Sequence, residues 1–383
     1  MKFSYFLPTK LTFGFGSVDG IGSEAKGLGA SKALVVTDKV MVKTGTVDRV
    51  LSKMEGVSTQ VYDEVEPEPR IEVAQGVADA VRAGNYDLVV GIGGGSSMDM
   101  AKVASGLATN PGEASKYVGN NLFVKKPLPS IMIPTTAGTG AELTVTSMVT
   151  VGGHKQWINS PLLLPSAALV DPELTMSMPK SVTAATGMDA LCHNAEAYLS
   201  SLASPITDGA ALEGVRLIAS NIIAAYDDGS DRKARELMSL GALMGGIALQ
   251  AKMVYGHSIG YTLATRYRLP HGVSCGIPLP YILASYAAAA GPRMAKLGEA
   301  LGVQTDGVDP LAIGKAAGDK VAELGAHLQI PGSLKELGVQ EGDLDGLAKE
   351  CLEVYPRTNS PLVFDQKSMT RLYRNMWSGE IAS

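Results

Sequence analysis

Residues 88–102 read LVVGIGGGSSMDMAK, and this stretch decides the fold. Leu88–Ile92 is a short aliphatic run of the kind that forms a fully buried strand. Gly93, Gly94 and Gly95 follow at once, and a helical pattern opens at Ser96 and Ser97. A strand, a glycine turn and a helix in that order present backbone amides to an anion at the positive end of the helix, and a pyrophosphate fits that description. The same glycines can also form a tight turn that holds nothing. The buried strand in front of them favours the binding reading. The spacing is not G-x-G-x-x-G, and the turn follows a later strand of the chain rather than its first, so this is not the ordinary Rossmann fingerprint.

Working outward, Ala33–Thr37 (ALVVT), Ser58–Tyr62 and Pro129–Pro134 read as further strands, separated by helical patterns over Gly45–Met54 and Ile71–Ala83. Strands alternating with helices predict an open, doubly wound parallel sheet, which binds ligands beyond the carboxyl ends of its strands. Asp38 stands just past ALVVT and reads in two ways. It is placed to accept from a ribose 2′-hydroxyl and to repel a 2′-phosphate, favouring NAD over NADP. It is equally suited to cap a helix. Pro134–Thr144 (PTTAGTGAELT) is a second strand-to-loop edge, dense in hydroxyls and glycine.

After Val170 the β-branched runs give way to long Ala-, Leu- and Met-rich segments. Helices are predicted over Ser181–Leu202, Asp208–Tyr226, Arg232–Lys252, Tyr281–Ala290, Leu311–Leu328 and Leu344–Cys351. The expectation is two domains: an α/β dinucleotide-binding domain over 1–179 and a helical domain over 180–383, meeting at the SMPKS segment.

Composition narrows the partners. Of 383 residues 45% are apolar and 19% charged, enough to build large cores and too apolar for a disordered chain. Net charge is −5 and the cationic side chains are scattered, which argues against nucleic acid as a partner. The three cysteines, Cys192, Cys275 and Cys351, lack CxxC spacing, so neither a disulfide framework nor a thiolate zinc motif is suggested and a reducing cytoplasm is expected. The N-terminus has Pro8 and Lys10 where a signal peptide needs unbroken apolar sequence, and no uninterrupted apolar run suggests a membrane span.

Three of the five histidines form a pattern. Asp189 and His193 are spaced i, i+4 in GMDALCHNAEAY, so both project from one helix face. His257 ends the run MVYGH, and His271 follows 14 positions later, in LPHG beyond a turn. One carboxylate and three imidazoles suit a borderline ion such as Fe²⁺ or Zn²⁺ and are too rich in nitrogen for Mg²⁺ or Ca²⁺. Against this, a single histidine is more often a hydrogen-bonded structural residue, and Asp-x-x-x-His also arises as a salt-linked pair.

Taken together, these segments resemble the iron-containing (group III) alcohol dehydrogenase family along nearly the whole chain. FLPTKLTFGFGS resembles its opening strand, GGGSSMDMAK its pyrophosphate turn and IPTTAGTGAE its nicotinamide and adenine loop. LLLPSAALVDPELT resembles its link to the helical domain, and GMDALCHNAEAY and GHSIGYTLATRYRLPHG its metal-ligand segments. The resemblance implies a dehydroquinate synthase-like architecture, with a doubly wound sheet followed by an all-α metal-binding domain. It implies Asp189, His193, His257 and His271 as ligands of Fe²⁺ or Zn²⁺. It implies Asp38, Gly94, Gly95, Ser96, Thr135, Thr136, Thr139, Thr144 and Lys155 around NAD or NADP. The implied reaction is hydride transfer between a small alcohol or aldehyde and nicotinamide, in a homo-oligomer, with a dimer expected first.

Two positions depart from the family pattern. Tyr261 stands where many members carry another histidine, and is a candidate proton relay; Asn194 stands where alanine is common. Two competing readings are a dehydroquinate synthase-like lyase, which would want clustered cations for a sugar phosphate, and a non-catalytic cofactor-binding scaffold, which has no need of four ligands. Around the four ligand positions only Lys252, Arg266 and Arg268 are cationic.

Overall fold

The structure is a computed structural model that describes residues 2–382. Nine strands occur among the described residues: β1 Lys10–Phe13, β2 Lys32–Val36, β3 Ser58–Tyr62, β4 Leu88–Gly93, β5 Gly119–Asn120, β6 Ser130–Pro134, β7 Thr146–Val151, β8 His154–Asn159 and β9 Ala167–Val170. Six of them form one sheet in the order β1-β9-β6-β4-β2-β3, parallel at every pairing. The helices of this part are α1 Ile21–Gly27, α2 Lys39–Lys43, α3 Thr46–Leu51, α4 Ile71–Gly84 and α5 Gly95–Thr109.

An all-parallel sheet survives only when both faces are covered, and the side chains obey that rule. In β2, Leu34 and Val36 join one apolar cluster with α4 and α5, while Ala33 and Val35 join another with α1 and α3. The strands are therefore apolar continuously rather than in alternation, which is why ALVV and LVV stand out in the sequence. Helix α4 buries Ile71, Ala74, Val77, Ala78 and Val81, one stripe at helical spacing. Helix α5 buries every residue from Ser97 to Leu107.

The hairpin β7–β8 lies outside the strands read from the sequence. It pairs Thr146 with Asn159 through Val151 with His154, antiparallel, around Gly152 and Gly153. Two glycines between runs of strand-forming residues are a hairpin signature.

The remaining helices are α6 Lys180–Leu199, α7 Pro205–Asp227, α8 Arg232–Ala248, α9 Tyr255–Tyr267, α10 His271–Gly276, α11 Leu279–Ala290, α12 Pro292–Ala300, α13 Pro310–His327, α14 Leu344–Val354 and α15 Gln366–Ser378. The chain divides into two compact units. One comprises Ser4–Thr136 and Gly140–Ser177; the other comprises, of the described residues, 2–3, Ala137–Thr139 and 178–382. The second has its own apolar core, including Met188, Leu191, Ile218, Leu283, Tyr286 and Tyr373.

Two differences from the sequence reading concern the functional helices. The helix expected to run to Lys252 ends at Ala248, passes through one 3-10 turn and breaks at Lys252, whose φ is +62°. A new helix, α9, then begins at Tyr255, so His257 sits in a first turn rather than at the end of a long helix. His271–Ala290 is long and apolar enough to cross a membrane by length and composition, yet 72% of its apolar window is buried inside the protein, as in a core helix.

Candidate metal centre and nucleotide-binding turn

Helix α6 sets the first two donors. Asp189 and His193 lie one turn apart on one face, and both are buried. His257 comes from the first turn of α9 and His271 from the first residue of α10. The middle of α6 and the first turns of α9 and α10 thus converge on one point. Nε2 of His257, His271 and His193 stands 3.5, 3.6 and 3.8 Å from Oδ1 of Asp189.

The hydrogen bonds fix what those atoms can do. His257 Nδ1 donates to Glu196 Oε1 at 2.6 Å, and His193 Nδ1 donates to the carbonyl of Gly138 at 3.4 Å. In its neutral form each ring has therefore spent its N–H, and its Nε2 presents a lone pair. Lone pairs that face a carboxylate oxygen in a dry interior repel unless a cation lies between them. Among the described residues Asp189 Oδ1 and His257 Nε2 have no hydrogen-bond partner, although both are buried. Bonds of 2.0–2.2 Å to a tetrahedral ion put its ligands about 3.3–3.6 Å apart, close to the distances found.

Without an ion the donors shift in different directions: burial lowers the His257 imidazole, but the Cys275 and Glu196 charges and the Asp189 hydrogen bond outweigh it and raise the ring well above its usual range. Burial pushes the Asp189 carboxyl up, but the charges of His193 and His271 and the His257 hydrogen bond outweigh it and hold the group well below the usual carboxylate range. Burial lowers His193, against the pull of Asp189, and so favours the neutral ring that binds metal. His271 is the most open of the three rings, its side chain 27% exposed.

Glu196 was not singled out in the sequence, yet its signal is present. It follows Asp189 by seven and His193 by three on α6, which places all three on one face. Its carboxylate orients the His257 ring and also accepts the His257 backbone N–H at 3.2 Å, capping the start of α9. Residue 256 has to be glycine for this: a Cβ there would lie 2.5 Å from Glu196 Oε1. Such outer carboxylates raise the basicity of a ligand histidine and fix its orientation. Cys275 was also passed over as a donor. Its sulfur, Asp189, His257 and His271 have donor atoms all within 4.8 Å of one another, a set from which His193 is absent. The sequence pattern and this distance criterion share three ligands and differ in the fourth.

Tyr261 follows His257 by one turn of α9, is buried, and stacks parallel to His271 at 5.9 Å between ring centroids. Asn194 has no part in the donor cluster. It donates to the carbonyls of Ala190 and Gly241, tying α6 to α8.

The glycine turn has the expected geometry. Gly93 ends β4 with φ +145°, a conformation open to glycine, and a Cβ there would lie 2.7 Å from Ser97 Oγ. Gly94 is the N-cap of α5 and no side chain caps that helix, so amides of its first turn are left for a ligand. Gly94, Gly95 and Ser96 are part-exposed. Thr135 donates its N–H to Gly93 O at 2.9 Å, and Thr136 Oγ1 lies 3.6 Å from where a Gly94 Cβ would stand, so the β6 loop borders the turn. Asp38 caps α2, its Oδ1 accepting from the N–H groups of Val40 and Met41, and its Oδ2 stands beside the glycine turn, 3.4 Å from a Cβ placed on Gly93.

The remaining expected contacts have other partners. Thr144 Oγ1 accepts from the buried Lys102 Nζ at 3.2 Å and part-anchors the loop. Lys155, on β8, pairs with Glu68 at 2.9 Å. Thr139 is half-buried and belongs with Gly138 to the helical unit.

A doubly covered parallel sheet with an uncapped glycine turn, joined to a helical unit with imidazoles gathered on one buried carboxylate, defines the class of metal-dependent dehydrogenases. Comparison with known proteins agrees. Residues 8–172 match the family described as iron-containing alcohol dehydrogenase, and residues 183–377 match the Fe-containing alcohol dehydrogenase family, C-terminal. Long-chain-alcohol dehydrogenase 1 of Geobacillus thermodenitrificans is 37% identical over 375 residues, covering 96% of this chain and 95% of that protein. The NAD-dependent methanol dehydrogenase of Bacillus methanolicus is 33% identical over 380 residues, 97% and 99% of the two chains. The crystal structure of a 1,3-propanediol oxidoreductase superposes with a TM-score of 0.95 at 33% identity, covering 98% of this chain and all of the other. This chain belongs to the iron-containing alcohol dehydrogenase family, and its reaction class is that of a metal-dependent alcohol dehydrogenase.

Proposed function

We propose that the protein interconverts a small alcohol and its aldehyde with NAD as the hydride carrier and a divalent ion, Fe²⁺ or Zn²⁺, held by Asp189, His193, His257 and His271. The observation that carries this reading is the meeting of imidazole lone pairs with the buried Asp189 oxygen, an arrangement that needs a cation. When bound, the ion supplies Lewis-acid polarisation of an alcohol or aldehyde oxygen. Glu196 and Gly138 hold the rings of His257 and His193 in the orientation that keeps their lone pairs on the ion. The first-turn amides of α5 take the pyrophosphate, and Asp38 Oδ2 is free to meet a ribose hydroxyl, which supports NAD over NADP. NAD, when bound, would serve as the acceptor of the hydride from the alcohol carbon, and Tyr261, beside the His257 and His271 rings, is the candidate to pass the hydroxyl proton on to solvent.

A lyase that returned its cofactor unchanged would produce no net NADH, and a scaffold would have no use for a charge-balanced buried donor cluster. The same proposal puts the enzyme in the cytoplasm, consistent with three unpaired buried cysteines, with a small molecule rather than nucleic acid or membrane as partner, and in a homo-oligomer, a dimer first. The test is chelation followed by anaerobic add-back of Fe²⁺ or Zn²⁺, assayed with short alcohols, diols and aldehydes. NADH formation should vanish on chelation and return with the ion. Turnover unaffected by either step would overturn metal catalysis.

A further inference from the structure

Two of the ligand-bearing helices are tied together by one side chain outside the donor cluster. The turn that delivers His257 is strained: Lys252, between α8 and α9, holds φ +62° and ψ +154°, a conformation that belongs to glycine and persists in another residue only where its surroundings over-determine it. Lys252 is exposed, and no side chain caps α9 at Val254, so the turn is held by what packs on it. The holder is Asn359, buried in the loop between α14 and α15. Its Nδ2 donates to the carbonyls of Met253 and Lys252 at 3.1 and 3.4 Å and to Ser200 Oγ at 2.9 Å. Ser200 ends α6, the helix of Asp189 and His193, and its hydroxyl donates in turn to the carbonyl of Ala251 at 2.5 Å. The Asn359 carbonyl accepts from the Ser201 N–H and hydroxyl, both at 2.9 Å. Four residues before Asn359, the Tyr355 carbonyl accepts from the hydroxyl of Ser258, the neighbour of His257, at 2.8 Å.

We infer that Asn359 is a positioning residue of the metal centre: by clamping the strained turn at Lys252 against the end of α6, it sets where His257 stands relative to Asp189 and His193. This rests on the proposal that an ion binds here at all. The groups that Asn359 meets at the turn are carbonyl oxygens, which only accept, so the place demands a donor, and a carboxylate of the same shape would repel them. His257 follows Lys252 within the first turn of α9, so a shift of the turn is passed directly to the ring. Metal–ligand distances tolerate only about 0.2 Å, and a small movement of α9 therefore weakens the His257 bond first.

The experiment measures the Zn²⁺ affinity of the metal-free full-length protein by competition with a chromophoric chelator, with Tm read in the metal-free and Zn²⁺-loaded forms. Asn359→Ala and Asn359→Asp should bind Zn²⁺ at least about tenfold more weakly than wild type, and their Tm should rise less on loading. A side chain that only stabilised the fold would, when replaced, lower both Tm values equally and leave the affinity alone; that result overturns the inference while the proposed function stands. Lys252→Gly relieves the turn, so in its background Asn359→Ala should weaken Zn²⁺ binding by only about threefold. Equal losses with and without Lys252→Gly overturn the inference as well. Should the Asn359 variants not fold, Ser200→Ala, which removes one acceptor of the clamp, should weaken Zn²⁺ binding by about threefold, and unchanged affinity there overturns the inference. Wild type that binds no Zn²⁺, with turnover indifferent to chelation, overturns the proposed function with it.

Discussion

The two units build their sites by opposite means. In the α/β unit the proposed ligand-facing groups are backbone amides at one strand-to-helix turn, contiguous in sequence from Gly93 to Ser97. In the helical unit they are side chains drawn from α6, α9 and α10, with Asp189 and His271 far apart in the chain and less than 4 Å apart in space. A backbone site is specified locally, by glycine and by the buried strand before it. A side-chain site depends on how several helices pack and on what holds each ring in place. Single substitutions should therefore cost most in the helical unit.

The largest effect is expected for His257→Ala. Losing a wholly buried ligand should lower kcat/KM by about a thousandfold or more, several kcal/mol of transition-state stabilisation, while circular dichroism stays unchanged. Retention of more than a tenth of wild-type turnover would remove the ring from the site.

Next comes an effect in the other unit, on stability rather than catalysis. Glu142 is buried in the loop after β6, and burial, only partly offset by Lys102, pushes its carboxyl from 4.5 up to about 7. A raised acid is stabilising while protonated, so this contribution is complete below pH 4.5 and is lost as pH rises to about 7. Across that window Glu142→Gln should gain on wild type by up to about 3 kcal/mol, read as diverging Tm values. Parallel Tm curves for the two proteins would contradict the assignment.

For Glu196→Gln the expected loss is about 10–100-fold in metal affinity, measured by chelator competition, because the outer carboxylate no longer sets the His257 ring. The smallest effect belongs to the backbone site. Asp38→Ser keeps a helix cap and removes the charge, so Tm should move little while the preference for NAD⁺ over NADP⁺ narrows about tenfold or more. An unchanged cofactor ratio would leave Asp38 as a cap alone.

The same contrast explains what was legible in the sequence. The strands at ALVVT and LVVGIG and the turn after Ile92 carry their reasons within a few residues. On the helical side, helix ends depart from the sequence pattern where packing overrides it, as at Lys252, where the chain turns sharply before α9. Some signals went unread although they are local: the Gly152–Gly153 hairpin, and α15, whose Asp365–Ser368 capping box precedes buried Met369, Leu372, Tyr373 and Met376. Glu196 was within reach of helical spacing, but what it touches was not, since its partner is 61 positions away. Cys275 reads as an isolated thiol until α9 and α10 are folded against each other around Gly260.

Asp189, His193 and Glu196 ride on a single helix, and that has a consequence for how this protein can change. A helix advances about 1.5 Å per residue with little play, so α6 acts as a fixed ruler against which the ion is gauged. Set on one rigid edge, the spacing of Asp189, His193 and Glu196 is independent of the residues on α9 across from them, Tyr261 among them.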